Sequence, residues 1–353
     1  MYTPIKIGSL EMRNRFIRSA THEYMADGEG FVNERIGNIY RQLAGNGVAC
    51  IITGHAYIQP NGKASERQAS ISDDKFIDGY KKMVAIAHAG GSKIVLQAAH
   101  GGRQSKPELC GGDPVCPSAV PDAKTGIHPR EMREEEINQV IDSFAEAARR
   151  GRDAGFDAVQ LHAAHGYLLS QFLSPHTNRR EDQWGGSEEN RFRIISGIMA
   201  AVRKKAGNDF PVWIKLNSED FIETGLKVSD SIKIAKRLET AGVGAIEVSG
   251  GMMEAGPKTA RTGIAGEKDE GYFLSAALEI KKAIGVPIFV VGGFRSAAMI
   301  QKALDQGIDM VSLARPLVRE PDLIKKFKEG KKRADCISCN GCFNPEGIRC
   351  KHA

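Results

Sequence analysis

The sequence contains no apolar run that approaches the roughly 20 residues needed to span a bilayer. Its first residues, MYTPIKIGSLEMRNRF, also lack the apolar core of a secretory signal peptide. Blocks of like charge are scarce, because the net charge of +6 is spread along the chain and only Lys331, Lys332 and Arg333 form a short basic cluster. We therefore expect a cytoplasmic protein that binds neither membranes nor nucleic acids.

The sequence also lacks the even, dispersed set of cysteines that a disulfide scaffold would need. It has seven cysteines, and four of them lie within residues 336–353. This pattern favours a reducing compartment and thiolate chemistry. No linker or low-complexity tract divides the chain, so we predict one domain over residues 1–330, followed by a cysteine-rich tail over residues 331–353.

One local pattern recurs along the chain: a helical stretch ends in glycine, and a short apolar run begins two to four residues later. Glycine suits the left-handed position that ends a helix. A run that is apolar at both odd and even positions suits a strand buried on both faces. The segments are AGNGVACII (44–52), HAGGSKIVLQ (88–97), AGFDAVQL (154–161), GNDFPVWIKL (207–216), AGVGAIEV (241–248), AIGVPIFVV (283–291) and QGIDMVSL (306–313). With FIRSA (16–20) they predict eight strands.

Apolar residues with helical spacing lie between these strands, as in the stripe Ile137, Val140, Ile141, Phe144 and Ala148. Alternating strands and helices form either a closed barrel or an open doubly wound sheet. A barrel needs roughly 250 residues, which leaves about 100 for additions. We predict an α/β fold, a single (β/α)8 TIM barrel. The additions are an N-terminal hairpin (3–12), a Gly/Pro-rich loop (101–130), a long segment (166–187) and the C-terminal tail.

The residues that follow each strand are unusually polar, and in such barrels the chemistry lies at the carboxyl ends of the strands. A single histidine there is more often a structural residue, but histidines at four strand ends favour a site. The residues are Thr21, His22, Gly54, His55, Gln97, His100, His162, His165, Tyr167, Lys215, Ser249, Gly250, Gly251, Gly292, Gly293, Ala314 and Arg315.

His162 and His165 lie three residues apart just after the fourth strand, so both can point into one site. Two imidazole donors can hold a carbonyl oxygen and stabilise the enolate that forms on hydride attack. Tyr167 carries a hydroxyl that can donate a proton to the enolate carbon. A metal site built on the histidine pair is the weaker interpretation, since no nearby carboxylate completes the usual ligand set.

The segments VVGGFRS (290–296) and SLARPLV (312–318) follow the last two strands. Glycines there can present backbone N–H groups to a phosphate, and Arg315 can add a bidentate contact. At the tail, Cys336, Cys339, Cys342 and Cys350 have a spacing that indicates a metal centre, with unrelated free thiols as the alternative.

The stretch LHAAHGYLLSQFLSPHTNRREDQWGGSEENRFR (161–193) resembles the substrate-site signature of the old yellow enzyme family. The match includes His162, His165, Gly166, Tyr167, FLSP (172–175), Asn178, Arg180, Asp182, GGS (185–187), Glu189, Asn190 and Arg191. The resemblance extends from Asn14-Arg15 to Arg315.

The resemblance implies an FMN enzyme. Ser19, Ala20, Thr21 and His22 would then line one side of the flavin, Gln97 would bond its pyrimidine edge, and Lys215 would lie near N1. The FMN phosphate would be held by the segments with Gly292, Gly293, Ala314 and Arg315. Gly54 is also predicted to bind the cofactor, from its position just after the second strand. This chain departs from the family at Lys215, where arginine is usual, and at His22, where cysteine or threonine is usual.

CISCNGC (336–342) resembles the iron–sulfur motif of the dienoyl-CoA reductase and trimethylamine dehydrogenase branch, although the gap before Cys350 is shorter here. A [4Fe-4S] cluster is therefore the first candidate, followed by structural zinc or an empty vestige. That branch also has a nucleotide-binding half, which we expect this protein to lack.

The resemblance implies reduction of an activated C=C bond of an α,β-unsaturated carbonyl compound. NAD(P)H, or a reduced protein acting through the cluster, would supply the electrons. The alternatives are an oxidative dehydrogenase of an amine or alicyclic substrate, and an electron-transfer subunit of a larger complex. We expect a small-molecule substrate and a homo-oligomer.

Overall fold

A computed structural model describes residues 1–352. Eight parallel strands form a closed ring in which each strand hydrogen-bonds to the next one along the chain, and the eighth pairs with the first. In chain order these barrel strands are Phe16–Arg18, Cys50–Ile52, Lys93–Ala99, Ala158–Ala163, Val212–Asn217, Ala245–Ser249, Ile288–Val290 and Met310–Leu313. The predicted eight-stranded TIM barrel is confirmed.

Helices follow the strands and cover the outside of the barrel. The principal ones are Glu34–Gly45, Ile77–Ala89, Glu134–Asp153, Glu188–Ala206, Val228–Thr240, Leu274–Ala283, Ala297–Asp305 and Leu323–Lys328. Shorter helices are Pro107–Cys110, Leu168–Leu173 and Arg315–Arg319. Single 3-10 turns lie at Pro60–Gly62, Asp74–Phe76, Gly102–Gln104, Met253–Lys258 and Glu267–Asp269.

Glycine adopts a positive φ between helix and strand in six of the seven predicted segments, and Gly285 is the exception. Gly155 and Gly242 have φ values of 90° and 75°, which is the left-handed region where a side chain would add strain. The helix Glu134–Asp153 buries Ile137, Val140 and Phe144 of the predicted stripe against the barrel. Local turn chemistry and amphipathic spacing therefore fix where these elements begin and which faces they bury.

The amino end of the barrel is closed by side chains. The hairpin Ile5–Ile7 and Leu10–Met12 is antiparallel, as expected. Ile7 and Met12 pack with Trp213, Phe289 and other residues inside the barrel. Because this end is filled, the open carboxyl end is the place for a ligand.

Loops and the C-terminal tail cover the carboxyl end. Within the predicted loop, Val115–Cys116 pairs with Arg130–Glu131. Ala56–Tyr57 adds a short pairing beside the third barrel strand. The tail, residues 331–352, forms no helix or strand in the described structure, and Ile348 N–H donates to the Glu23 carbonyl at 2.8 Å. The tail therefore lies against the same end of the barrel as the predicted site.

None of the helices within residues 1–352 has both the length and the apolar character needed to span a membrane.

Candidate active site

A cavity of about 590 Å³ opens at the carboxyl ends of the barrel strands. It brings together residues from both ends of the sequence. Twelve of the residues to which the sequence analysis gave a substrate or flavin role line it: Ser19, Ala20, Thr21, His22, Gln97, His162, His165, Tyr167, Lys215, Gly293, Ala314 and Arg315. The predicted site residues therefore converge in space, apart from two glycines.

Gly54 and Gly292 lie behind the cavity wall. The N–H of Gly54 donates to the Glu23 carboxylate at 3.0 Å, and a Cβ at this position would overlap that carboxylate. The carbonyl of Gly292 accepts from the N–H of Tyr272 at 3.1 Å. Both glycines allow close packing of backbone against a neighbouring residue and do not themselves line the cavity.

The two histidines and the tyrosine form a compact aromatic group. The rings of His162 and Tyr167 stack with centroids 4.5 Å apart, and those of His162 and His165 are perpendicular with centroids 5.3 Å apart. His165 has a φ of 61°, and its N–H donates to Asn217 Oδ1 at 3.0 Å, which holds this turn after the fourth strand. Its Nε2 lies 2.7 Å from Ser249 Oγ, a partner that sequence reasoning did not identify.

The surroundings keep these groups uncharged. Desolvation lowers the pKa of His162 well below its usual value and that of His165 to about 3, with neighbouring histidines and Lys215 adding to the effect. Desolvation also raises the pKa of the Tyr167 phenol. Near neutral pH the site therefore offers neutral imidazole N–H groups and a protonated phenol.

Lys215 carries a counter-ion that the sequence analysis missed. Its Nζ lies 3.2 Å from Glu247, whose side chain is fully buried on the adjacent sixth barrel strand. Glu247 also accepts from Ser19 Oγ at 2.7 Å and from Gln160 Nε2 at 2.9 Å. The charge of Lys215 at the cavity wall is therefore balanced within the protein. A glutamate inside the apolar run AIEVS was the available signal.

Two other positive groups at the cavity form no salt bridge within the described residues. Arg295 and Arg315 line the cavity at the ends of the seventh and eighth strands, and neither forms a salt bridge with a carboxylate in residues 1–352. Arg315 Nη1 donates to the Arg261 carbonyl and to Asn340 Oδ1, both at 2.7 Å. Nearby, the buried Ser312 hydroxyl has no hydrogen-bond partner within the protein. Guanidinium groups and an unsatisfied hydroxyl suit a phosphate.

His22, which the resemblance places beside the flavin, also lines the cavity. Its Nε2 lies 2.5 Å from Ser65 Oγ, and Tyr24 N–H donates to its Nδ1 at 3.4 Å. Desolvation and the nearby His55 lower the pKa of His22 well below its usual value. The imidazole is therefore a neutral, anchored group at the edge of the site.

The four tail cysteines surround one small cavity next to Arg315. Backbone N–H groups of Ser338, Gly341 and His352 each donate to the sulfur two residues earlier in the chain, at 3.4 Å. Across residues 1–352, however, no group of three or more His, Cys, Asp or Glu side chains is arranged to hold a metal ion. Cys336, Cys339, Cys342 and Cys350 are therefore gathered in one place but not set at ligand geometry.

A sequence profile of the NADH:flavin oxidoreductase / NADH oxidase family matches residues 1–334. The chain belongs to this family, the family of the old yellow enzymes. It is 36% identical to an NADH oxidase of Thermoanaerobacter brockii over 349 residues, which are 97% of this chain and 53% of that protein. The chain thus spans about half the length of that relative.

Solved structures agree with this assignment. The 2-naphthoyl-CoA reductase in complex with 2-naphthoyl-CoA superposes with a TM-score of 0.90 at 32% identity, covering 97% of this chain and 54% of that chain. An old yellow enzyme homologue from Zymomonas mobilis superposes with a TM-score of 0.82 at 26% identity, covering 99% and 97%. The family and fold implied by the sequence motif are confirmed.

Proposed function

We propose that this protein is an FMN-dependent reductase of a C=C bond conjugated to a carbonyl group, with NAD(P)H as electron donor. The convergence of His162, His165 and Tyr167 in one cavity carries the proposal. When bound, the flavin supplies the hydride chemistry.

The cavity residues fit such a cofactor. Arg295 and Arg315 offer guanidinium groups without carboxylate partners to a phosphate, and Ser312 offers an unsatisfied hydroxyl beside them. At the other side of the cavity, Gln97 and Lys215 present polar side chains. We propose that Ser19, Ala20, Thr21, His22, Gln97, Lys215, Gly293, Ala314 and Arg315 contact the cofactor.

The histidine pair and the tyrosine then act on the substrate. A neutral imidazole N–H donates to the substrate carbonyl oxygen and stabilises the negative charge that develops there, without bringing a competing positive charge. Tyr167 holds its proton because its pKa is raised, and it gives that proton to the α-carbon. The carbonyl requirement and the proton donor together favour reduction of an activated alkene.

The experiment is Tyr167→Phe in the flavin-loaded enzyme, with Tyr80→Phe as a matched control. Tyr80 is buried on the helix Ile77–Ala89, and its hydroxyl has no partner within the protein. We expect Tyr167→Phe to slow reoxidation of the reduced enzyme by 2-cyclohexen-1-one by about 100-fold or more, as loss of a general acid does. Reduction of the enzyme by NADH or NADPH should change little. An unchanged reoxidation rate, or FAD instead of FMN by mass spectrometry, contradicts the proposal.

A separate proposal concerns Cys336, Cys339, Cys342 and Cys350 as ligands of one metal centre, with [4Fe-4S] as the first candidate. Their common cavity supports it, as do the N–H groups directed at three of the four sulfurs, since hydrogen bonds to sulfur stabilise thiolate ligands. Binding would require the thiols to close in around the metal, because they are not set at ligand geometry without it.

Anaerobic purification followed by iron, sulfide and zinc analysis tests this assignment. We expect about four iron and four sulfide per chain, the content of one such cluster. One zinc per chain would keep the ligand set and remove its redox role. Absence of metal after anaerobic reconstitution, with all four thiols alkylated in the native protein, would contradict it.

A further inference from the structure

A chain of hydrogen bonds leads from the backbone to the Tyr167 hydroxyl. The N–H of Ala64 donates to Gln68 Oε1 at 2.7 Å, and Gln68 Nε2 donates to His55 Nδ1 at 2.8 Å. On the other side of the imidazole, His55 Nε2 lies 3.3 Å from Tyr167 Oη. His55 follows the second barrel strand and lines the cavity. Neither the sequence motif nor the roles assigned above include it.

The series of hydrogen bonds from Ala64 to Tyr167 determines which group donates in each bond. A backbone N–H can only donate, so the Gln68 oxygen faces Ala64 and its amide nitrogen faces His55. The same nitrogen also donates to the His55 carbonyl at 3.3 Å. His55 Nδ1 must therefore accept, which places the proton of the neutral imidazole on Nε2.

With its proton on Nε2, His55 donates to the Tyr167 oxygen. The phenolic O–H cannot point back along this bond, so it is directed elsewhere from Oη. Desolvation lowers the pKa of His55 to about 4, so the imidazole is neutral near neutral pH. Gln68, which sets the tautomer, is completely buried.

We propose that His55 is a positioning residue for Tyr167: its Nε2–H holds the phenolic proton toward the substrate and then stabilises the phenolate left after proton transfer. This inference rests on the proposed function of Tyr167 as the acid. In the step, the O–H bond of Tyr167 breaks and a C–H bond forms at the α-carbon. The negative charge passes from the substrate enolate to the phenolate oxygen, and water later returns the proton. The enolate electron pair forms the C–H bond and the O–H pair stays on the phenolate oxygen, so the step is a proton transfer without oxidation or reduction, and His55 stays neutral throughout.

A packing role for His55 makes a different prediction. Its ring lies 4.6 Å from that of His22 and 5.2 Å from that of Tyr167, so any substitution removes ring contacts. Leucine at position 55 fills the space without a donor, whereas glutamine offers an N–H donor near the position of Nε2. The comparison of the two separates hydrogen bonding from packing.

The test uses the FMN-loaded enzyme, reduced and then mixed rapidly with 2-cyclohexen-1-one. We expect His55→Leu to slow reoxidation about tenfold, as the loss of one hydrogen bond would. We expect His55→Gln to stay within about threefold of the wild type, and enzyme reduction by NAD(P)H to change little in either variant. His88→Leu is the matched control, since His88 is exposed and bonds Asp157 far from the cavity.

A double variant separates positioning from a general structural effect. If His55 acts through Tyr167, His55→Leu should slow Tyr167→Phe by less than about twofold, because the group that it positions is already gone. Equal slowing in the wild-type and Tyr167→Phe backgrounds overturns the positioning role. If Tyr167→Phe itself has no effect, the proposed acid is wrong. If Tyr167→Phe is slow and His55→Leu is not, only the role of His55 is wrong.

Nitrogen-15 NMR of histidine-labelled wild-type protein gives a readout that does not depend on turnover. With the His55 signals assigned through His55→Gln, we expect Nε2 protonated and Nδ1 unprotonated at pH 7. A neutral imidazole protonated on Nδ1 would overturn the inference, whatever the activity of the variants.

Discussion

Replacing Glu247 with glutamine should leave the positive charge of Lys215 buried in the barrel without a counter-ion. Glu247 is fully buried, and the Lys215 side chain, 3% exposed, has its ammonium 3.2 Å from it. Glutamine keeps the shape, its oxygen can still accept from Gln160, and its amide can donate to Ser19 Oγ in place of accepting from it, so the charge is the main loss. Breaking a buried ion pair by removing one partner costs about 3–5 kcal/mol, and because the hydrogen bonds can remain, we expect a loss of about 3 kcal/mol.

The free energy of unfolding is measured in urea by far-UV circular dichroism and by tryptophan fluorescence, with and without saturating FMN. Trp213, which lies inside the barrel two residues before Lys215 on the same strand, contributes to the fluorescence signal. Glu279→Gln is the matched control, since Glu279 is exposed on the helix Leu274–Ala283 and should change stability by less than about 0.5 kcal/mol. Lys215→Met combined with Glu247→Gln should recover part of the loss. If Glu247→Gln unfolds like Glu279→Gln, the pair does not stabilise the barrel as the structure indicates.

Two further predictions concern the histidines. His162→Ala combined with His165→Ala should weaken binding of a phenolate such as that of 4-hydroxybenzaldehyde by about 100-fold or more, since two hydrogen bonds to a charged oxygen are lost. A spectral titration of the flavin measures this, and wild-type affinity in the double variant would show that other groups hold the oxygen. Stability should also fall as the pH drops from about 6.5 toward 4. His100 and His165 have folded pKa values of about 3, below the unfolded value, so the unfolded chain binds more protons over this range. The melting temperature measured at pH 7 and at pH 5 gives the dependence of stability on pH. His100→Gln should make this dependence weaker. A melting temperature that does not change with pH would refute the assignment of neutral histidines.

Much of the barrel was predictable because its signals are local. A parallel strand buried on both faces must be apolar at both odd and even positions. The connection from a helix back into such a strand often needs a residue in the left-handed conformation, as at Gly155. These requirements act within about ten residues, so a short continuous stretch of sequence is enough to recognise them. The same holds for the end of the fourth barrel strand, which carries His162, and the turn after it, which carries His165 and Tyr167, because three residues of one short segment enter one cavity together.

The site details that were missed depend on distant segments. Lys215 faces Glu247 because the fifth and sixth strands pair in one register, and a shift of one residue would turn the two side chains to opposite faces. Gly54 was placed among the cofactor-binding residues from its position after a strand. The structure directs its N–H to Glu23 instead, because that carboxylate fills the space in front of it.

The sequence by itself thus determined the eight barrel strands and their order, the family, and the twelve predicted residues that share the cavity. Only the tertiary structure decided which neighbour each polar group meets. The tail shows this most clearly: its cysteines were visible in the sequence, but their place beside Arg315 depends on contacts between residues 338–340 and the end of the eighth strand. His55 likewise meets Tyr167 across 112 residues of chain. Closure of the barrel brings together strand ends that are far apart in sequence. Local sequence patterns therefore do not predict which of their side chains come into contact.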